Sequence, residues 1–246
     1  MGQVALVTGG SQGLGAAVAR ALHAAGYKVA ISDIDEAAAV VLARELDPAG
    51  ATTGGYALDV REQAEFERVR DALTGRWGSI EVLVNNAVVT VAKPVLEITP
   101  DEFDAVLAVN LRGTFIGSQV LGRYFKERGY GRIVNIASLA GQNGGTATGA
   151  HYAASKGGIL TLTKVFARDL AAFGVTVNAV APGPLDLPSV HRTVPAAKLA
   201  ELVKTIPAGA LGDPAFVADI VVRLAAPEAG FTTGATWDIN GGLFMR

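Results

Sequence analysis

The chain has 246 residues, half of them apolar, and its charges nearly cancel, with 21 Lys and Arg against 23 Asp and Glu. That length suits one well-buried α/β domain and is short for two. The scattered charges leave no basic block for nucleic acid or a membrane surface, and with no cysteine there can be no disulfide, thiolate metal site or cysteine nucleophile.

Met1-Gly2-Gln3 runs straight into the apolar stretch Val4–Val7, without the basic flank or apolar length of a signal peptide. No apolar run approaches the roughly 18 residues of a membrane span. His23, His151 and His191 are far apart and lack metal-ligand spacing. The expectation is a cytoplasmic globular protein without metal.

Val4–Val7 is the first expected strand, and Thr8-Gly9-Gly10-Ser11-Gln12-Gly13-Leu14-Gly15 follows it directly. Glycines there let the backbone turn sharply and approach a pyrophosphate, whose charge faces a helix N-terminus. The helix is expected over Leu14–Ala25, with Leu14, Val18, Ala21, Leu22 and Ala25 on one stripe and Gly26 as the stop. The second strand, Lys28–Ser32, ends at Ser32-Asp33-Ile34-Asp35. Asp33 lies about 20 residues past the glycines, where a carboxylate accepts hydrogen bonds from the adenosine ribose. The same carboxylate repels a 2′-phosphate, and no Lys or Arg stands in the loop or directly after Asp33, so NAD is favoured over NADP. The plainer alternative is that Asp33 only starts the next turn.

Further strands are expected at Gly55–Leu58, Glu81–Asn85, Arg132–Ala137, Thr176–Ala181 and Thr236–Ile239, all short and nearly continuous in apolar character. Between the fourth and fifth a helix opens at Thr99-Pro100-Asp101-Glu102, where Thr99 caps, Pro100 suits the first helical position and Glu102 completes a capping box. Strands alternating with helices predict a doubly wound, Rossmann-type α/β fold, a parallel sheet of about seven strands with helices on both faces. No linker divides residues 1–246. The least regular stretch, Pro182–Pro214, reads as a flap over a site.

Tyr152 and Lys156 stand four apart in His151-Tyr152-Ala153-Ala154-Ser155-Lys156, on one face of a helix. A free tyrosine has a pKa of about 10; a fixed lysine charge and the positive ring of an oxidised nicotinamide favour its phenolate. Tyr152 can then take the hydroxyl proton while hydride leaves the same carbon. Tyr-x-x-x-Lys alone is common on helix surfaces. Ser138, at the carboxyl edge after the fifth strand, adds a hydroxyl that can orient the substrate oxygen, although a lone strand-end serine is often only a turn residue.

With these residues in view, the chain resembles the short-chain dehydrogenase/reductase family along essentially its whole length. The matching motifs are Thr8–Gly15 (TGxxxGxG), Asp59-Val60, Asn85-Asn86-Ala87, Asn110, Ser138, Tyr152, Lys156 and Pro182-Gly183. The resemblance implies a Ser138–Tyr152–Lys156 site assisted by Asn110, which in the family supports a kinked helix and a water leading from the lysine to solvent. It implies NAD held by Gly9, Ser11, Gln12, Gly13, Leu14, Gly15, Asp33, Asp59, Val60, Asn86, Ala87, Tyr152, Lys156, Pro182, Gly183 and Leu185, and a homotetramer.

Three places depart from the pattern. Val88 stands where the family usually has Gly after Asn-Asn-Ala, which implies a non-glycine backbone and added bulk. Leu187 replaces a Thr that commonly touches the nicotinamide carboxamide. The glycine- and threonine-containing segment Leu139–His151 is slightly longer than in ketoacyl reductases, and His151 could face either way. Such reductases generally use NADPH and often carry an Arg where Phe173 precedes Gly174; Arg128 and Arg132 are expected as solvated surface. The expected activity is therefore NAD-dependent interconversion of a fairly apolar secondary alcohol and its ketone. The alternatives are a 3-oxoacyl-(acyl-carrier-protein) or 3-oxoacyl-CoA reductase, a non-catalytic dinucleotide-binding regulator, and a Rossmann methyltransferase, the last of which leaves Ser138, Tyr152 and Lys156 unexplained. The helices Asp101–Phe125 and Tyr152–Phe173 carry apolar residues on more than one face, including Phe115, Val120, Leu160 and Phe166, and the C-terminus Gly241–Arg246 ends on apolar residues. Both features suit a partner subunit.

Overall fold

A computed structural model describes residues 2–145 and 148–245; Met1 at one terminus, Thr146 and Ala147 in the Leu139–His151 segment, and Arg246 at the other terminus lie outside the described residues. Seven strands join one sheet in the order β3-β2-β1-β4-β5-β6-β7, every neighbouring pair parallel. They are β1 (Val4–Thr8), β2 (Lys28–Asp33), β3 (Thr53–Ala57), β4 (Val82–Asn85), β5 (Gly131–Ile136), β6 (Val175–Pro182) and β7 (Thr236–Ile239).

The continuous apolar strands are explained by burial on both faces. Alternate residues of one strand feed two separate cores. Ala5 and Val7 of β1, with Val29, Ile31, Val84 and Val180, pack under α1 (Gly13–Ala24), α2 (Glu36–Leu46) and α10 (Pro214–Ala225). Val4 and Leu6, with Leu83, Ile133 and Val177, pack under α3 (Gln63–Trp77), α5 (Gly113–Arg128) and α7 (Ala150–Leu170). Each such side chain removed from water contributes about 1.5–3 kcal/mol before entropy is charged against it.

Gly26 ends α1 as expected: its φ of +89° lets Tyr27 N–H reach back to Leu22 O. The capping box at Thr99 and Glu102 is formed at the start of α4 (Pro100–Leu107), and Glu102 also pairs with Lys93. From α4 the chain passes through one π turn, Ala108–Arg112, into α5.

Two expectations need correction. β3 begins at Thr53 and ends before Leu58, because Gly54 and Gly55 belong to it. A Cβ on Gly55 would lie 2.5 Å from Val40 Cα, so the glycine lets α2 close on the strand. The flap is also more regular than its prolines suggested. Pro188 is in the first turn of α8 (Pro188–Thr193), Pro195 is the N-cap of α9 (Ala196–Thr205), and Pro214 starts α10. A proline that breaks a helix interior is well suited to its first turn.

Candidate active site

In a parallel sheet all carboxyl ends fall on one edge, and here that edge collects Gly9–Gly15, Asp33, Asp59-Val60, Asn86-Ala87, Ser138 and Pro182-Gly183 from β1 to β6 in turn. The glycine loop is locked to β4. Thr8 Oγ1 accepts the N–H groups of Asn86 and Ala87, and Asn86 Nδ2 donates to Thr8 O and Gly9 O. Gly9 has φ +59°, and a Cβ there would sit 2.7 Å from Ala87 Cα. Gly15 is equally confined, since its Cβ would collide with Gly9 O and lie 2.5 Å from Asn86 Nδ2. Gly13 is the opposite case: φ +55° with open space where a side chain would be. The N-cap Gln12 offers α1 no side-chain bond. Helical N–H groups beside an open glycine surface could hold a pyrophosphate.

Asp33 ends β2 and binds back to this loop. Its Oδ2 accepts Ser11 Oγ–H at 2.6 Å and Ser11 N–H at 3.2 Å, while Oδ1 accepts Asp35 N–H. The carboxylate thus does start the next turn, and it also fixes the loop. Asp59 is gripped by the Arg61 guanidinium, which holds its pKa below the ordinary carboxylate value. Val60 is buried against Gly113. Sequence reasoning missed Ile34, which is 72% exposed beside Asp33; the signal was an apolar residue continuing past the strand end.

On the other half of the edge, Ser138 stands near enough to the Tyr152 phenol to pull its pKa down, and Lys156 Nζ lies 5.7 Å from the Tyr152 ring centre. Ser138 Oγ also accepts Ala140 N–H at 3.1 Å. Burial pushes the Tyr152 phenol above its ordinary value, outweighing the neighbouring Ser138 hydroxyl, which pulls it down. Lys156 is buried, donates to Ile136 O at 2.6 Å, and has its pKa lowered by desolvation to about 7. The lysine charge expected to favour the phenolate is therefore itself weakened by burial in the chain alone.

Asn110 sits inside the π turn, fully buried. Its Oδ1 accepts Val89 N–H, and its Nδ2 donates to Val89 O and Ser155 Oγ. Ser155, a residue that sequence reasoning passed over, donates in turn to Tyr152 O at 2.7 Å. The Asn85 side chain bonds Ser118 and Asn135, and Asn135 bonds Thr163, a buried polar ladder beneath the site.

The pocket walls differ in character. Val88, Val89 and Val91 are exposed, and no described non-glycine residue has positive φ, so Val88 does carry an ordinary backbone. In the 139–151 segment, α6 (Ala140–Asn143) packs on α7 so closely that a Cβ on Gly141 would lie 2.5 Å from Lys156 C. The described part of that segment in α6 is a closely fitted wall. Leu187 packs partly buried on the same core as Leu14 and Ile239, and Leu185 is buried and bridged to Gly212. A cavity of about 550 Å³ opens inside the flap, lined by Leu199, Val203, Leu211, Asp186 and His191 among others. Arg132 is no surface arginine: it is 3% exposed and donates to Ala226, Gly131, Gly174 and Pro227 carbonyls.

The family described as enoyl-(acyl carrier protein) reductase matches residues 9–244. The acetoacetyl-CoA reductase of Shinella zoogloeoides is 43% identical, with all of both chains covered. The 3-oxoacyl-(acyl-carrier-protein) reductase FabG of Vibrio cholerae is 38% identical over 99% of this chain and 98% of its own. The sorbitol dehydrogenase of Cereibacter sphaeroides is 35% identical over the same shares. This chain is a short-chain dehydrogenase/reductase. As such it is an oxidoreductase acting on CH–OH groups and the matching ketones. No described helix is long and apolar enough to cross a membrane.

Proposed function

We propose that this short-chain dehydrogenase/reductase reduces short 3-oxoacyl-CoA thioesters to 3-hydroxyacyl-CoA with NADH, and catalyses the reverse oxidation. The observation that carries the chemistry is the Lys156 Nζ held 5.7 Å from the Tyr152 ring centre, with Ser138 beside the phenol at the carboxyl edge. The sequence alone put a general secondary alcohol first and a thioester second; the two relatives acting on 3-oxoacyl groups favour the thioester. A free CoA ester rather than a protein carrier is supported by Phe173, which covers Lys126 at 4.2 Å, and by the burial of Arg132.

When bound, the nicotinamide cofactor exchanges hydride with the carbinol carbon. Ser138 Oγ–H orients the substrate oxygen, and Tyr152 delivers its phenolic proton there as the carbonyl is reduced. In oxidation Tyr152 takes that proton back. Lys156, anchored on Ile136 O, keeps a cationic or hydrogen-bonding group beside the phenol. Gly9, Ser11, Gln12, Gly13, Leu14 and Gly15 hold the pyrophosphate and Asp33 the ribose. Ile34, Asp59 and Val60 would line the adenine end of the cofactor, and Asn86, Ala87, Pro182, Gly183 and Leu185 its nicotinamide end. Ser11 and Asp33 support NAD: a carboxylate already charged and fixed at that point opposes a phosphate.

Absorbance assays with acetoacetyl-CoA, a carrier-linked 3-oxoacyl group and small ketones, each with NADH and NADPH, test this reading. Fastest turnover with acetoacetyl-CoA and NADH is the expected result; faster turnover with NADPH removes the cofactor assignment. The second reading, an apolar secondary alcohol, is favoured by the exposed valines Val88, Val89 and Val91 and wins if only the ketones react.

A homotetramer is proposed from a groove of about 1070 Å³ along α4, α5 and α7, lined by Ala105, Ala108, Leu111, Phe115, Thr161 and Leu162. Phe115 is 39% exposed there and stacks on Phe166, whereas Val120 points into the core and cannot serve a partner. A monomer by light scattering at micromolar concentration removes this proposal.

A further inference from the structure

We propose that His151 is a positioning residue whose neutral imidazole caps the catalytic helix and fixes the backbone of Tyr152. α7 starts at Ala150 with Gly149 as N-cap, so the position that normally supplies a capping oxygen has no side chain. The first N–H groups of a helix have no intrahelical acceptor. His151 Nδ1 fills that role for Tyr152 N–H at 2.9 Å. The other end of the same residue is held too, because Tyr152 O accepts Ser155 Oγ–H, and Ser155 Oγ accepts from Asn110. Both backbone groups of Tyr152 are thus tied down by side chains.

The geometry also sets the protonation state. A ring nitrogen that accepts a hydrogen bond carries no proton, so the neutral ring bears its hydrogen on Nε2. A doubly protonated ring would turn Nδ1–H against Tyr152 N–H at the positive end of the helix dipole. His151 is 0% exposed, and its Nε2 has no partner among the described residues. The ring is boxed in: a Cβ on Gly149 would overlap its Cε1 and lie 2.7 Å from Nδ1. Gly149 N–H in turn bonds Val91 O, tying this cap to the valine wall. The usual Asp cap would place a negative charge beside Tyr152 and oppose its phenolate. An imidazole gives the acceptor without the charge.

This inference rests on Tyr152 as the proton donor, and its test separates the two. In ¹⁵N-histidine-labelled wild-type protein, with only three histidines to assign, His151 should show Nδ1 unprotonated and Nε2 protonated at pH 7.5. A protonated Nδ1 overturns the proposal without any variant or substrate. In kinetics with acetoacetyl-CoA and NADH, His151→Asn places an amide oxygen where Nδ1 stood and should keep kcat within about threefold. His151→Gln, whose amide reaches the Nε2 position instead, should lose roughly 10- to 100-fold in kcat, the effect of a misplaced reacting group. Its KM for NADH should stay unchanged, and the alkaline midpoint of hydroxybutyryl-CoA oxidation should move up as Tyr152 loses alignment with Ser138. Equal activity and midpoint in the two variants, or loss in both that tracks melting temperature, means His151 only fills space. If acetoacetyl-CoA is not turned over at all, the substrate assignment fails, while the tautomer still decides the cap.

Discussion

The two halves of the carboxyl edge are built differently. Around β1, β2 and β4 most side chains of the loop are already held by the chain: Ser11 by Asp33, Asn86 by Thr8 and Gly9, with Gly9 packed on Ala87. Around the 139–151 wall and the flap, Gln142 Oε1, Thr148 Oγ1 and His151 Nε2 lack partners among the described residues, and Val88, Val89 and Val91 stand open. A buried polar atom without a partner is costly, so it persists where packing or a ligand offsets the cost. The comparison sets a closely hydrogen-bonded half, proposed to hold the cofactor, against a less satisfied half, proposed to meet the substrate.

The sharpest way to probe that contrast is Tyr152→Phe, which removes the proton donor and nothing from the cradle. Turnover should fall about 10²- to 10⁴-fold, with NADH affinity by fluorescence titration unchanged. Next, Asp33→Ala should shift the NADH-to-NADPH preference in kcat/KM by roughly 10- to 100-fold, the size of one lost charge-assisted hydrogen bond. It should also loosen Ser11, so NADH affinity falls without any change in substrate selectivity. Gly9→Ala forces a side chain into a left-handed φ against Ala87 and should lower stability by about 1–3 kcal/mol in chemical denaturation.

A pH prediction follows from Lys156. Its folded pKa is about 7 against an ordinary 10.5, so above pH 7 the unfolded chain holds the extra proton. The protein without cofactor should therefore gain stability from Lys156 as pH rises from about 7 to 10, and Lys156→Met should flatten that rise in melting curves. The smallest effect concerns the substrate half. Thr148→Val deletes an unpartnered buried hydroxyl at nearly constant volume and should leave stability within about 0.5 kcal/mol. A changed KM for acetoacetyl-CoA in that variant would show the hydroxyl facing substrate; a marked loss of stability would break the comparison between the halves.

Much of the cofactor half was legible in sequence because its signals are local. A strand, a glycine run, an amphipathic helix and an acid at the next strand end dictate the βαβ unit almost residue by residue. Tyr152 and Lys156 were legible from helical spacing. What sequence could not show depends on distant contacts. The third strand was expected at Gly55–Leu58 and lies at Thr53–Ala57, because the fit of α2 over Gly55 shows only in three dimensions. The flap prolines read as an irregular stretch although Pro188, Pro195 and Pro214 stand at helix starts. Arg132 looked like surface because nothing local announces four carbonyls from two distant segments and its own neighbour. Ser155 was overlooked for the same reason, since its value lies in joining Asn110 to Tyr152.

The strand order has a consequence for how the protein is made. β1, β2 and β3 are neighbours in both sequence and sheet, so the first 57 residues can assemble three strands while the rest is still being synthesised. β1 then waits for β4 to cover its other side, and Ser138 waits for β6, since Ala137 pairs with Val180. An emerging chain is thus expected to gain its dinucleotide cradle well before its chemistry, and ligand present in the cell would meet a half-built sheet whose exposed β1 edge is its most aggregation-prone feature.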